Sequence, residues 1–165
     1  MVDLTRGVPP HPLEFLPPVA PLEVGSDDVT DGAELAEAQR GGDTSPALRW
    51  SPGPEGTASY AVTVFDADAP TLGGIYHWVL VDIPSTVTEL PAGVTDVGRP
   101  ARNDLGTTTF VGAAPPPGDR PHRYLFTVHA LQAESLPIDE QTPAALVGFH
   151  LTVNTIARGS ITATA

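Results

Sequence analysis

The 165-residue chain contains no cysteine and no lysine. Without cysteine it has no disulfide, no thiolate nucleophile and no Cys-ligated zinc. Without lysine, all eight basic residues are arginine; they face 20 acidic residues, and the formal charge is −12. That balance argues against nucleic acid as a partner, because phosphate backbones are held by dense basic surface. It also argues against docking on an anionic membrane through a polybasic patch, and an acidic surface mainly confers solubility. No run approaches the ~18–20 apolar residues of a membrane span, so membrane insertion is not expected. Proline breaks the N-terminal stretch "MVDLTRGVPPHPLEFLPPVAPLEV" repeatedly and leaves no apolar core of signal-peptide length, which makes the cytoplasm the default location.

Proline is what the chain has in excess. Its 19 prolines are more than twice the usual share of ~5 %, and with 16 glycines they leave little room for long helices. The length suits one domain with a real core. Residues 1–21 read as an extended, Pro-rich arm, and residues 22–165 as a single domain. The arm is either a loosely ordered tail or, through Leu13, Phe15 and Leu16, a clip onto the body or onto a second subunit of a homodimer.

Three segments carry strong strand signals: "SYAVTVF" (59–65), "YHWVLVDI" (76–83) and "HRYLFTVHALQ" (122–132). They are β-branched, aromatic and apolar on both faces, as central strands are. "SPALRW" (45–50) is a further short strand, and residues 85–121 are loop-dominated. Residues 33–40 read as a short helix or an edge strand. Near the C-terminus, Thr142 as N-cap, Pro143 as first helical residue and Leu146, Phe149, Val153 and Ile156 at helical spacing predict a helix that stops at Arg158-Gly159. "SITATA" would then be a last strand.

The polar residues converge if these strands are antiparallel neighbours. The first strong strand ends at Asp66, the second opens at His77 and the third at His122, so all three fall at one sheet end together with Asp68. Period 2 puts His122 and Tyr124 on one face, and places His77 with Val79 and Val81. Asp66 and Asp68 beside Pro70 would, on the plainer reading, cap turn amides, and a lone strand histidine is more often a satisfied core residue. His11, His129 and His150 show no such convergence and read as structural. Three chemistries suit the cluster: a metal site of two histidines and a carboxylate, a base with its orienting group, or a small-anion site in which imidazoles, a tyrosine hydroxyl and loop amides hold phosphate while Asp66 orients an imidazole. There is no G-x-S-x-G, no P-loop and no G-x-G-x-x-G.

"DADAP" (66–70), "HWVLVDIP" (77–84), "VGAAPPPGDRPHRY" (111–124) and "SPALRW" occur in order and at spacings that resemble the phosphatidylethanolamine-binding protein family, more narrowly its bacterial Raf-kinase-inhibitor-like branch. The resemblance runs from about Leu22 to the C-terminus. It implies a mainly β fold: a large central sheet, a smaller second sheet, and short helices including one near the C-terminus. It also implies a pocket for phosphate-like head groups, such as phosphorylethanolamine, and for small anions such as acetate. The family motifs fall on Asp66, Asp68 and Pro70, on His77, on Gly112, Pro115 and Pro116, and on His122, Arg123 and Tyr124. In this transfer His77, His122, Tyr124 and amides near Gly112 hold the anion, Asp66 fixes an imidazole, and Arg123 braces the loop. Ala67 stands where the family has proline and Ile75 where relatives often have an aromatic. The family also implies a cis bond at Ala69–Pro70. The expected function is non-enzymatic binding of small phosphorylated or carboxylated anions, with no cofactor and no resident metal, and with a kinase or other signalling protein as the implied partner. The alternative is a hydrolase or metal-dependent enzyme using Asp66, His77 and His122; a third reading is an interaction module acting through its surface.

Overall fold

A computed structural model describes residues 3–165. The two long central strands are those with apolar residues on both faces. β4 (Ser59–Asp66) and β8 (Arg123–Leu131) are buried along nearly their whole length. They pair antiparallel with each other, β4 pairs antiparallel with β5 (Ile75–Pro84), and β8 with β9 (Thr155–Thr164). The short β1 (Ala20–Pro21) joins β9 in parallel, and β7 (Arg99–Pro100) borders β5, giving a six-stranded sheet of order β1-β9-β8-β4-β5-β7. A second sheet of three strands, β2 (Val24–Gly25), β3 (Leu48–Trp50) and β6 (Glu89–Leu90), has the order β2-β3-β6.

Each face of the large sheet has its own core. On one side Val62, Val64, Tyr124, Phe126 and Val128 meet Leu48, Trp50 and Leu90 of the small sheet. On the other, Ala61, Val79, Val81 and Leu131 meet Val147 and Leu151 of the helix α1 (Ala144–Asn154). Burial of this kind contributes about 1.5–3 kcal/mol for each large apolar side chain.

The helix departs from the sequence expectation in three ways. Pro143, not Thr142, is the capping residue, because the Thr142 hydroxyl is bonded to Asp139. The helix ends at Asn154 rather than near Arg158, because the backbone from Thr155 onward pairs with β8 and Ile156 lies in that strand. Its buried face is Ala144, Val147 and Leu151, while Leu146, Phe149 and Val153 are about half exposed. Apolar residues surround this helix, so spacing alone did not select a face. The sheet did: a Cβ on Gly148 would lie 2.7 Å from Tyr76 Oη, so the helix approaches along its small residues. Residues 33–40 form no helix beyond a 3-10 turn at Glu37–Gln39; Glu34 and Arg40 make single parallel bridges to Thr164 and Ala113, which is as far as the edge-strand reading is realised.

The arm lies against the body. Arg123 donates to the carbonyl of Pro9 (2.8 Å), a 3-10 turn spans Pro12–Phe15, and Leu13 and Leu16 line a cavity of about 310 Å³ beside α1. Phe15 points outward and is exposed.

Candidate functional site

The ladder itself brings the site together. Asp66 is the cross-strand partner of both Tyr124 and Ile75, so the end of β4 lies between the starts of β5 and β8. His122 immediately precedes β8, and its backbone is fixed by paired hydrogen bonds with Ala165 (2.8 and 3.1 Å).

His77 reaches the site through an irregularity that the sequence did not reveal. Val64 pairs with Trp78 and Phe65 with Tyr76, which makes His77 an extra residue on β5, a β-bulge. Tyr76 packs on Phe65 toward the helix side, and Trp78 joins the opposite core. His77 therefore does not share a face with Val79 and Val81. It packs edge-on against Tyr124, with ring centroids 5.2 Å apart. Its Nδ1 donates to the carbonyl of Val111 (2.9 Å), which leaves Nε2 as the nitrogen available to a ligand.

His122 is held at both nitrogens. Nδ1 meets Asp66 Oδ2 at 2.8 Å and Nε2 meets Asp119 Oδ2 at 3.0 Å. Both acceptors are carboxylates, so in this arrangement both ring nitrogens are donors. The other oxygen of Asp66 accepts the Asp68 amide (2.9 Å), so this carboxylate both caps the turn and orients the imidazole.

Asp68 braces the loop. Its carboxylate accepts from Arg123 N (2.9 Å), Nε (2.7 Å) and NH2 (3.0 Å) and from Arg120 NH2 (2.8 Å). Burial pushes this carboxyl up, but the guanidinium bonds of Arg123 and Arg120 outweigh it and hold it at about 2. Arg123 thus serves the loop, as its alternation away from His122 and Tyr124 suggested.

Tyr124 is 1 % exposed, and its hydroxyl has no hydrogen-bond partner among the described residues. It lies near the Asp66 carboxylate and the Ala114 backbone. Burial first, and the Asp66 charge second, push its pKa far up, so the phenol stays a donor.

The other expected site residues stand further from these groups. The Gly112 amide is already committed to Asp43 Oδ1 (3.0 Å), and a Cβ there would lie 2.2 Å from Gly42 O; the position needs glycine for close packing of two loops. Pro115 and Pro116 are half-buried, Pro70 is exposed, and Ile75 is a half-buried partner of Asp66. Ala69–Pro70 is trans; the turn closes with the Thr71 amide on Ala69 O (2.7 Å). The Ala67 amide donates to Arg123 O (2.9 Å), a bond that a proline at this position could not make. Among the described residues no three His, Asp or Glu side chains are arranged to hold a metal ion.

Three participants were not foreseen: Asp119, Arg120 and Arg6. Arg6 grips Asp119 with both guanidinium ends (2.8 Å each), and Arg120 donates to the Arg6 carbonyl (3.1 Å). The signal available for Asp119 was its place three residues before His122; for Arg6 there was none.

The model of the phosphatidylethanolamine-binding protein family matches residues 25–165. This chain belongs to that family. It is 44 % identical over 168 residues to UPF0098 protein YbcL of Escherichia coli (strain K12), covering 91 % of this chain and 90 % of the relative. To UPF0098 protein YbhB of the same organism it is 41 % identical over 156 residues, covering 86 % and 98 %. The crystal structure of E. coli YbcL, described as a new member of the mammalian PEBP family, matches with TM-score 0.83 at 43 % identity over 88 % of this chain and 98 % of that one. A PEBP homologue from Chlamydia trachomatis matches in fold with TM-score 0.77 at 22 % identity, covering 88 % and 97 %. The mainly β architecture with a large mixed sheet, a three-stranded sheet and a helix near the C-terminus is the one the family resemblance implied. No helix among the described residues is long and apolar enough to cross a membrane.

Proposed function

We propose that this family member binds small phosphorylated anions, the head group phosphorylethanolamine and free phosphate among them, at the rim where β4, β5 and β8 meet, and that it does so without turning them over. The observation that carries this reading is the Tyr124 hydroxyl: a buried donor without a partner among the described residues, on the ring that packs against His77 and directly across the ladder from Asp66. Leaving such a group unpaired costs about 1–3 kcal/mol, which a ligand oxygen would recover. His122 supplies a donor oriented by Asp66, and His77, whose Nδ1 is already used, presents Nε2 to the ligand. Asp66 and Asp68 are both committed to structural hydrogen bonds, which suits a rigid binding site better than a general base.

Calorimetry with phosphorylethanolamine and with inorganic phosphate tests it. His77→Ala and His122→Ala should each weaken binding at least tenfold while circular dichroism and the melting transition remain native. ³¹P NMR should recover the ligand intact after prolonged incubation. Unchanged affinity in both histidine variants, or release of phosphate from phosphorylethanolamine, overturns the reading.

A further inference from the structure

We propose that the protein's own Asp119 holds this site shut, and that Arg6 of the N-terminal arm is a ligand-binding group that passes from Asp119 to an incoming phosphomonoester. The inference rests on the anion-binding reading above and extends it to a residue set and a ligand preference.

The first support is position. Asp66 takes Nδ1 of His122, so Nε2 is the ring donor left for a ligand, and an Asp119 oxygen already sits on it at 3.0 Å. A carboxylate of the chain stands where an oxygen of a bound anion would stand. The second support is the fork. Arg6 NH1 meets Asp119 Oδ1 and NH2 meets Oδ2, both at 2.8 Å, the bidentate geometry by which a guanidinium holds carboxylate or phosphate. Although it lies in a loop, the Asp119 side chain is only 3 % exposed. The guanidinium of Arg6, and then His122, hold its carboxyl well below the usual range, so it stays ionised.

The third support is closure. Asp66, His77, His122 and Tyr124 are all buried. A depression of about 200 Å³ lies outside the plug, lined by Leu4, Thr5, Arg6, Gly118, Asp119 and Arg120. The plug and the floor differ in how they are held. The floor is β-ladder. Asp119 sits in a turn closed by its own amide on Pro116 O (3.0 Å) and by the Arg120 amide on Asp119 Oδ1 (2.9 Å), beside Gly118 at φ 86°. Arg6 belongs to a stretch without regular structure. Turning Asp119 outward breaks its contacts to His122 and Arg6 and leaves the strands in place.

A phosphomonoester restores what is broken and adds to it. Two of its three terminal oxygens satisfy the Arg6 fork and the third reaches the His122 and Tyr124 donors. A carboxylate, with two oxygens, only repeats what Asp119 provides. An internal competitor lowers apparent affinity by the fraction of molecules that are open, so removing it should tighten binding.

The test is calorimetry on the full chain with inorganic phosphate, phosphorylethanolamine and acetate. The variants are Asp119→Ala, Asp119→Asn, Arg6→Gln and the Asp119→Ala/Arg6→Gln pair. Asp119→Asn keeps an Oδ1 for the Arg120 amide and carries the test if Asp119→Ala does not fold. The expected result is phosphate affinity at least tenfold higher in the Asp119 variants, a smaller gain for acetate, and loss of most of the gain when Arg6→Gln is added. Wild-type protein that binds phosphate as tightly as both Asp119 variants overturns the plug and leaves the anion site standing. An Asp119→Ala affinity untouched by Arg6→Gln overturns the role of Arg6. Absence of phosphate binding in every form overturns the anion site and this inference with it.

Discussion

The buried Tyr124 hydroxyl has no partner among the described residues, and that makes it a residue at which stability and the proposed binding should part company. Tyr124→Phe keeps the ring packed and removes the orphaned group, so urea unfolding should show stability unchanged or raised by about 1 kcal/mol, while phosphate affinity falls. At this scale the sequence spoke clearly for Asp66, His122 and Tyr124, because antiparallel pairing of three obvious strands suffices to bring their ends together. It put His77 at the right sheet end but on the wrong face, since a bulge has no compositional mark and a period-2 reading cannot see it. It was silent on Arg6, whose partner Asp119 lies 113 residues away. A lone arginine in a Pro-rich stretch carries no pattern that points across such a distance.

Among elements, the strands were legible because burial on both faces writes a continuous apolar run, and β4 and β8 have one. The helix was legible in place but not in orientation. "AALVGF" at 144–149 offers an apolar residue to every direction, and the choice fell to the fit against Tyr76 and the sheet. Two substitutions check the face that was chosen. Leu151→Ala should destabilise by about 2–5 kcal/mol, the range for a large core side chain, and Leu146→Ala by no more than about 0.5 kcal/mol, as at a surface position. Chemical denaturation of both variants reads this directly, and equal losses would reverse the assignment of the buried face.

For the molecule as a whole, acid is the stress to which its buried groups are tuned. Burial, and then the nearby Arg158 charge, lower His129 to about 3, so the native ring stays neutral while the unfolded chain takes up a proton near pH 6.5. The unfolded state then binds more protons, and stability falls as pH drops from about 6.5 to 3, by up to ~1.4 kcal/mol per unit for this one group. Asp68, held at about 2, acts in the same direction at lower pH: its contribution is present above about pH 4 and is lost as pH falls toward 2. Urea unfolding at pH 7, 5.5 and 4 should show a steady loss of stability, and His129→Gln should flatten the part between about pH 6.5 and 4. An unchanged slope would show that the ring is not what resists protonation. Neither shift was readable in the sequence, because each depends on what surrounds the group in space: full burial and the Arg158 charge for His129, two guanidinium groups for Asp68.

The surplus residue in β5 has an evolutionary corollary. Deleting Tyr76 would remove the irregularity between Val64 and Phe65, leaving the second one between Tyr60 and Val62; His77 would then pair with Phe65 and its imidazole would turn to the helix side. The direction in which this imidazole faces is thus a matter of one codon's insertion or removal, with no exchange of any side chain around it.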